Sequence, residues 1–422
     1  MSEPAAFASA YARGLPANPS RANLAEPGRA ERAVTALLHR MQGETLDLRT
    51  PSRQYRLGNA DRLGAAPSAL VQVHDEAVFA RVLGSGDIGF AESYVDGQWT
   101  TPDLRALLAC VMRQRAGLDE VVYGSFWGSL LHRLTHLVRR NTRAGSRRNI
   151  HAHYDLGNAF YALWLDPSMN YSSAWFDGDA AQPLEAAQQR KMARALDEAR
   201  VGAGSRLLEI GCGWGAVGEA AARRGAHWTG VTLSTEQLAW AQRRLADAGL
   251  AARCDARLQD YRDLAGEGRR YDAIVSIEMF EAVGRAYWPG YFRSLARCLA
   301  PGGRACVQSI VIRDELFARY ARSTDFIQQY VFPGGMLPSA RIFREEAARA
   351  GLAVRTELAF GADYARTLRA WRQDFHERLD AVSALGFDAR FIRLWDFYLA
   401  YCEAAFETGQ TDVVQFTLEH AR

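Results

Sequence analysis

Three glycines set two apart, Gly211, Gly213 and Gly215, carry the first chemical signal, in the stretch "RLLEIGCGWGAVGEAAARRGAHWTGVTLS" from Arg206 to Ser234. Glu209 stands just before them. The loop follows an apolar run and opens a helical pattern, the setting in which a glycine-rich turn lets backbone approach a ligand and a helix N-terminus attracts a negative group. The loop reads ExGxGxG from Glu209 to Gly215. The chain lacks GxxxxGK[ST], so phosphate transfer has no support.

The elements that must hold this loop follow from periodicity. From Gly202 to Ile312 short apolar segments, "RLLEIG", "HWTGVTL", "ARLQD", "YDAIVSI" and "RACVQSIVI", alternate with helical stretches. That alternation predicts an α/β fold, a doubly wound, mostly parallel sheet whose ligands sit at the carboxyl ends of its strands. Helical segments after Ser339, ending in "FIRLWDFYLAYCEAAFETG", are expected to cover or extend it. Ahead of it, residues 1–32 read as a flexible arm and 33–119 as a smaller mixed α+β domain in which "LVQVHD" is a strand and "GSGDIGFAESYVDGQWTTPDLRALLACVM" is turns, aromatics and a closing helix. Residues 120–148 read as a basic amphipathic linker helix, with Phe126, Trp127, Leu130, Leu131, Leu134, Leu137 and Val138 on one face and Arg133, Arg139, Arg140, Arg143, Arg147 and Arg148 supplying charge. Such a helix can lie on an anionic membrane or pack between domains. Residues 149–422 read as the catalytic domain with a helical C-terminal extension.

Composition bounds the rest. Lys and Arg number 51 against 48 Asp and Glu, so no global field points to nucleic acid, and none is expected as a partner. The six cysteines have no CxxC or metal-like spacing; they read as buried thiols of a reducing compartment, with no metal expected. Neither a secretory signal nor a membrane-length apolar run is present, and a cytoplasmic protein is expected.

The ExGxGxG pattern resembles the first motif of class I S-adenosylmethionine-dependent methyltransferases. The resemblance implies that Gly211, Gly213 and Gly215 lie against the methionine part of the donor, with Glu209 fixing the loop from behind. Many such enzymes place an acid after the second strand. Here that strand ends "GVTLSTEQ", and Thr232, Ser234 and Gln237 offer hydroxyl and amide groups for the ribose, or are ordinary helix caps. Gln259, Asp260 and Tyr261 of "LQDYRDL" fall where the adenine would lie.

Four stretches narrow the likeness: "HYDLGNAFYALWLDPSMNYSSAWF", "LEIGCGWG", "SIEMFEAVG" and "QQYVFPGGMLPS". Together they resemble the cyclopropane-fatty-acyl-phospholipid synthase and mycolic acid cyclopropane synthase family, from about Asn149 to the C-terminus, and "GFAESYVDGQW" looks like the extra domain of the longer bacterial synthases. The family resemblance implies methyl addition from S-adenosylmethionine to the cis double bond of an unsaturated phospholipid acyl chain, a cation on the neighbouring carbon, proton loss to a base and ring closure. It also implies peripheral attachment at the inner membrane surface, where the basic 120–148 stretch would dock, and it leaves the oligomeric state open, with a dimer as the expectation. An alkene is a weak nucleophile, so the site must exclude water and align both partners. Tyr154, Tyr171, Trp175, Phe280, Tyr330, Phe332 and Tyr364 are candidates for facing the positive charge, or are plain core; Tyr171 and Ser172 are also placed with the donor.

In this family a bound bicarbonate is taken as the base. The resemblance carries its site to Glu281, Ile310 and Tyr364, with two departures: Ser173 of "YSSAWF" stands where better-known members have cysteine, and Gln308 of "QSI" where they have histidine. The histidine of FEHVG is Ala282 here. Neither Ser173 nor Gln308 offers a titrating imidazole. The expectation is an anion still held by Ser173, Gln308, the backbone near Ile310, and Tyr364, with Glu281 orienting it. The altered site leaves methylene-branched, methyl-branched or furan-type products open beside the ring. A small-molecule N-methyltransferase and a non-catalytic lipid binder are the rival readings.

Overall fold

The computed structural model describes residues 26–58, 68–114, 156–179 and 181–421, in two units that fall within 1–129 and 130–422. The 120–148 stretch, His153 and Tyr154 lie outside the described residues.

In the first unit, helix α1 (Arg29–Leu38) starts inside the span expected for the arm. Strands β1 (Thr45–Arg49), β2 (Gln54–Gly58), β3 (Ala69–Val73) and β4 (Trp99–Thr100) form a mixed sheet in the order β2-β1-β3-β4, with β3 overlapping "LVQVHD". The glycine-rich stretch after it is not a set of turns. It forms helix α2 (Ala77–Val95), broken at Gly86, whose backbone takes φ 59 and ψ −130, a conformation open to glycine and strained for other residues. Gly89 completes the break, since a Cβ there would come within 2.2 Å of the Arg81 carbonyl. Helix α3 (Leu104–Arg113) closes the unit, its first turn capped by the Asp103 carboxylate, which accepts from the Ala106 N–H at 2.8 Å.

The second unit is built on seven strands: β5 (Arg206–Ile210), β6 (His227–Thr232), β7 (Cys254–Leu258), β8 (Tyr271–Ile277), β9 (Leu299–Ile312), β10 (Leu352–Ala359) and β11 (Thr411–His420). Their order is β10-β11-β9-β8-β5-β6-β7. Strands β9, β8, β5, β6 and β7 pair in parallel, while β11 runs against both β9 and β10. The chain leaves β5 outward through β6 and β7 and returns to the other side of β5 at β8, so the switch point, and the crevice it creates, lies at the carboxyl ends of β5 and β8. The α/β class and the mostly parallel sheet expected from sequence are what the fold shows, beside a smaller N-terminal unit. The C-terminal part is not helical alone: it also supplies the edge strand β10 and, between β10 and β9, the strand β11.

Helices cover the sheet: α4 (Leu184–Glu198), α5 (Ala216–Arg223), α6 (Thr235–Asp247), α7 (Trp288–Cys298), α8 (Ala340–Arg349), α9 (Gly361–Glu377) and α10 (Ala389–Glu407). One face of the sheet is packed by an apolar cluster that includes Ile274, Phe280, Tyr291, Phe292, Phe343 and Phe416. The other gathers Leu196, Leu207, Val217, Trp228 and Val275. Trp228 is the tight point. Its indole lies so close to Gly218 and Gly230 that a Cβ at either would come within 2.6 or 2.0 Å of it, so glycine at both positions lets helix α5 close onto the strands.

Candidate active site

The crevice at the switch point is a cleft of about 160 Å³. Its lining includes Glu209 to Gly213 from the end of β5, Val231 to Leu233 from β6, Gln259 after β7 and Ile277 to Met279 from β8. The three glycines have different jobs. Gly211 and Gly215 take φ of 83 and 85, and a Cβ on them would strike Met279 at 2.7 Å and Ala241 at 2.9 Å, so both answer to packing. Gly213, at φ 50, has nothing within 4 Å of where its Cβ would stand. A glycine that no protein neighbour demands, lining a cleft, fits a loop that keeps its backbone bare for a ligand.

Glu209 is buried at the back of this loop, and its Oε2 accepts from the Trp228 indole N–H at 2.7 Å. Burial pushes its carboxyl up to about 8, opposed by that hydrogen bond and by Lys191. Lys191, fully buried, donates from Nζ to Ser172 Oγ at 2.6 Å. Burial lowers it to about 8 against the pull of Glu278, Asp166 and Glu209. Thr232 Oγ1 lies 3.0 Å from the Gln237 side chain, and Ser234 Oγ accepts from the Gln237 N–H at 3.2 Å to cap α6.

Beside the cleft stands a carboxylate that sequence reasoning passed over. Glu278 follows β8 with φ 47, unusual for a residue with a side chain, and its own N–H is anchored to the Gln308 carbonyl at 2.9 Å. Three donors converge on its carboxylate. The Ser173 N–H at 2.9 Å and Gln308 Nε2 at 2.7 Å reach Oε1, and the Tyr364 hydroxyl reaches Oε2 at 2.6 Å. Burial raises its carboxyl, opposed by the Tyr364 hydroxyl and the Lys191 charge.

The Gln308 amide has no freedom to turn over. Arg194 Nη1 donates to Gln415 Oε1 at 2.5 Å, which leaves Gln415 Nε2 to donate to Gln308 Oε1 at 3.0 Å, and that in turn aims Gln308 Nε2 at Glu278. The register of the sheet makes this relay, because Gln415 on β11 sits opposite Gln308 on β9.

Glu281 takes the remaining donor of the expected anion site, accepting the Ile310 N–H on Oε1. Burial and the neighbouring Glu278 push it up to about 8. The Glu281 carbonyl also accepts from the Met336 N–H at 2.9 Å, tying "FPGGM" to the site.

Of the residues singled out in the sequence, Tyr171, Ser172, Glu209, Gly211, Gly213, Thr232, Gln237, Gln259 and Tyr261 line the cleft. Gly215, Ser234 and Asp260 support it from outside: Gly215 and Ser234 start helices α5 and α6, and Asp260 accepts from Arg262 Nε at 2.8 Å. Ser173, Gln308, Tyr364, Ile310 and Glu281 come together, but around Glu278. Two expectations change. The Ser173 hydroxyl does not serve an anion, since it donates to the Ala174 carbonyl at 2.9 Å and only the backbone N–H of Ser173 points inward. A free bicarbonate does not fit, because Glu278 and Glu281 already engage the donors it would need. Among the aromatic candidates, Phe280 belongs to the core, stacked on Trp288 at 5.5 Å, and Tyr330 is 40% exposed. Tyr171 lies near Trp371 at 5.5 Å and Phe332 at 6.4 Å, its hydroxyl 2.7 Å from that of Tyr398. Trp175 lies under the Arg194 guanidinium at 5.8 Å. Lys191, Arg194, Trp228, Glu278 and Gln415 were not anticipated. The available signal was Glu278 itself, an acid at the carboxyl end of a predicted strand, where such sheets hold ligands.

Comparison with known proteins bears on the family and the fold. The family model for mycolic acid cyclopropane synthetase matches residues 141–416. A tuberculostearic acid methyltransferase of Mycobacterium tuberculosis is 42% identical over 84% of this chain and 83% of its own length. The cyclopropane-fatty-acyl-phospholipid synthase of Escherichia coli is 35% identical over 83% of this chain and 88% of its own. The crystal structure of a mycolic acid cyclopropane synthase complexed with SAH and CTAB superposes with a TM-score of 0.60 at 30% identity, covering 64% of this chain and 97% of that one.

Proposed function

We propose that this chain, which belongs to the mycolic acid cyclopropane synthetase family of methyltransferases, moves a methyl group from S-adenosylmethionine to the cis double bond of an unsaturated acyl chain on a phospholipid. The observation that carries the reading is the open Gly213 backbone in a cleft at the switch point that Tyr171 and the Glu278 carboxylate also line, with Tyr364 donating to that carboxylate and Trp371 packed near both tyrosine rings. The neighbouring structure holding SAH supports the donor.

Gly211 to Gly213, Gln259 and Tyr261 would hold the donor, which supplies an electrophilic methyl group when bound. Lys191 and Trp228 keep Ser172 and Glu209, the cleft's rear wall, in place. The rings of Tyr171, Trp371 and Tyr364 offer negative faces to a cation on the acyl chain. They also exclude water that would quench it.

Ring closure is the first reading of the product, supported by the relatives named for it. A methylene- or methyl-branched chain is the second, favoured by the higher identity to a relative named as a fatty acid methyltransferase instead of a synthase of rings. A small-molecule N-methyltransferase shares only the fold, at 16% identity.

Incubation of the purified chain with labelled donor and vesicles of mono-unsaturated phospholipid tests the proposal. Label in the acyl chain supports it, and label in amines but not lipid refutes it. Proton NMR of the product then separates ring protons from vinylidene protons. No described helix is long and apolar enough to cross a membrane, and a phospholipid substrate requires docking; the arginines of residues 120–148 are the proposed contact with an anionic leaflet. Equal vesicle binding after replacement of Arg139, Arg140 and Arg143 by Ser would overturn that contact.

A further inference from the structure

We infer that Glu278 is the built-in counterpart of the external anion, the group that accepts the proton lost after methyl transfer, and that this chain therefore works without bicarbonate. The inference rests on the alkene methyl-transfer reading above. Its ground is the destination of the donors. The positions at which the family likeness seats an anion are Ser173, Gln308, Ile310 and Tyr364. Three of them aim at the Glu278 carboxylate, and the fourth aims at Glu281. A carboxylate has about four acceptor sites. Three are filled by these donors, which leaves capacity for one more bond on a residue that lines the cleft.

The backbone shows how this position is kept. Glu278 takes a left-handed φ of 47, and its N–H is held by Gln308 on the neighbouring strand. A side chain in that region is strained, and such strain persists where surrounding contacts over-determine it. The Arg194, Gln415 and Gln308 relay adds the orientation of one donor. Glu278 is thus held from the backbone and from three directions at its carboxylate.

The step balances without any further reagent. A C–H bond of the methyl-bearing cation breaks, and its electron pair closes the ring or, after a hydride shift, forms a carbon–carbon double bond. The proton moves to Glu278, which becomes a neutral carboxylic acid and later releases it to water through the cleft.

Three forms of the full chain test this: wild type, E278Q and E278G. Glycine suits the left-handed backbone, so E278G removes the carboxylate without straining the turn. Calorimetric titration of each with S-adenosylhomocysteine checks that the cleft is intact. Binding of 13C-labelled bicarbonate, followed by NMR line width, gives a readout independent of turnover: E278G is expected to bind it and wild type is not. In buffer stripped of carbon dioxide, wild-type turnover is expected to stay within twofold of its value with bicarbonate. E278Q should lose roughly a hundredfold or more, the usual worth of a general base, and E278G should be as slow until bicarbonate or formate is added. A tenfold fall of wild-type turnover on stripping, labelled bicarbonate bound by wild type, or E278Q turnover within threefold of wild type would each overturn the inference. Failure of the functional reading looks different, as no lipid product forms in any condition while the bicarbonate-binding comparison still reports on Glu278.

Discussion

Gly211 and Gly213 lie two residues apart in one loop, and alanine should separate their roles. At Gly211 the methyl group meets Met279 Cγ at 2.7 Å and Cβ at 2.9 Å, with φ of 83. The left-handed backbone alone costs a side chain roughly 1–2 kcal/mol, and overpacking adds roughly 1–3 kcal/mol. At Gly213 the backbone cost is similar, but no protein atom lies within 4 Å of the new methyl. G213A should therefore lose only about 1–2 kcal/mol of stability, a few degrees in melting temperature for a domain of this size. Its larger effect should fall on the donor. A methyl wedged where a ligand must approach costs roughly 1–3 kcal/mol, which corresponds to a dissociation constant raised roughly 5- to 150-fold. Thermal unfolding and calorimetric titration with S-adenosylhomocysteine, run on both variants, measure the two effects. If G213A bound the ligand as tightly as wild type, or melted lower than G211A, the assignment of Gly213 to ligand contact would be wrong.

Further consequences concern the shell behind the site. Q415L breaks the relay that fixes the Gln308 amide, so turnover should fall roughly ten- to a hundredfold, as for loss of a hydrogen bond to a charged group, with the donor affinity unchanged; a fall in affinity without a fall in turnover counts against the relay. W228F leaves Glu209 without its 2.7 Å partner and opens space beside Gly218 and Gly230, which should cost about 2–4 kcal/mol in urea unfolding; a loss below about 1 kcal/mol would show that neighbours compensate. Glu209 keeps its proton in the folded chain up to about pH 8 but gives it up near 4.5 when unfolded, so the native state binds more protons in that window. Its contribution to stability should fall as pH rises from 4.5 to 8, by up to about 1.4 kcal/mol per pH unit, a slope that E209Q removes. Parallel slopes for wild type and E209Q would mean that Glu209 ionises freely in the fold.

The cleft was far more legible in the sequence than the carboxylate beside it, and the physics explains the difference. Gly211 to Gly215, Thr232 and Gln259 fall at the ends of short apolar runs, and a doubly wound sheet sends every such end to the same edge. Local pattern is enough to find them. Strand β11 was lost because its ten residues follow a long helical stretch and read as a tail, although they place Gln415 opposite Gln308. The turns expected around Gly86 became a broken helix because one glycine with φ 59 relieves the chain without ending the helical pattern on either side.

Glu278 was hidden for another reason. Its partners, Ser173, Gln308 and Tyr364, are 105, 30 and 86 residues away, and no period in the chain links them. Apart from its place at the end of a predicted strand, the substitutions hinted at it. A site that has Ser173 and Gln308 where the family likeness expects cysteine and histidine has lost two titrating groups, and a second acid beside Glu281 is the natural way to keep a negative charge there. Tethering that charge changes the chemistry in one further respect. A dissolved anion must be bound before each turnover and competes with water and other anions, whereas a side chain held by three donors is present at all times. The dependence of such a site on solution conditions then passes from bicarbonate concentration to the protonation of Glu278, with Lys191 and the Tyr364 hydroxyl favouring the ionised form and burial opposing it.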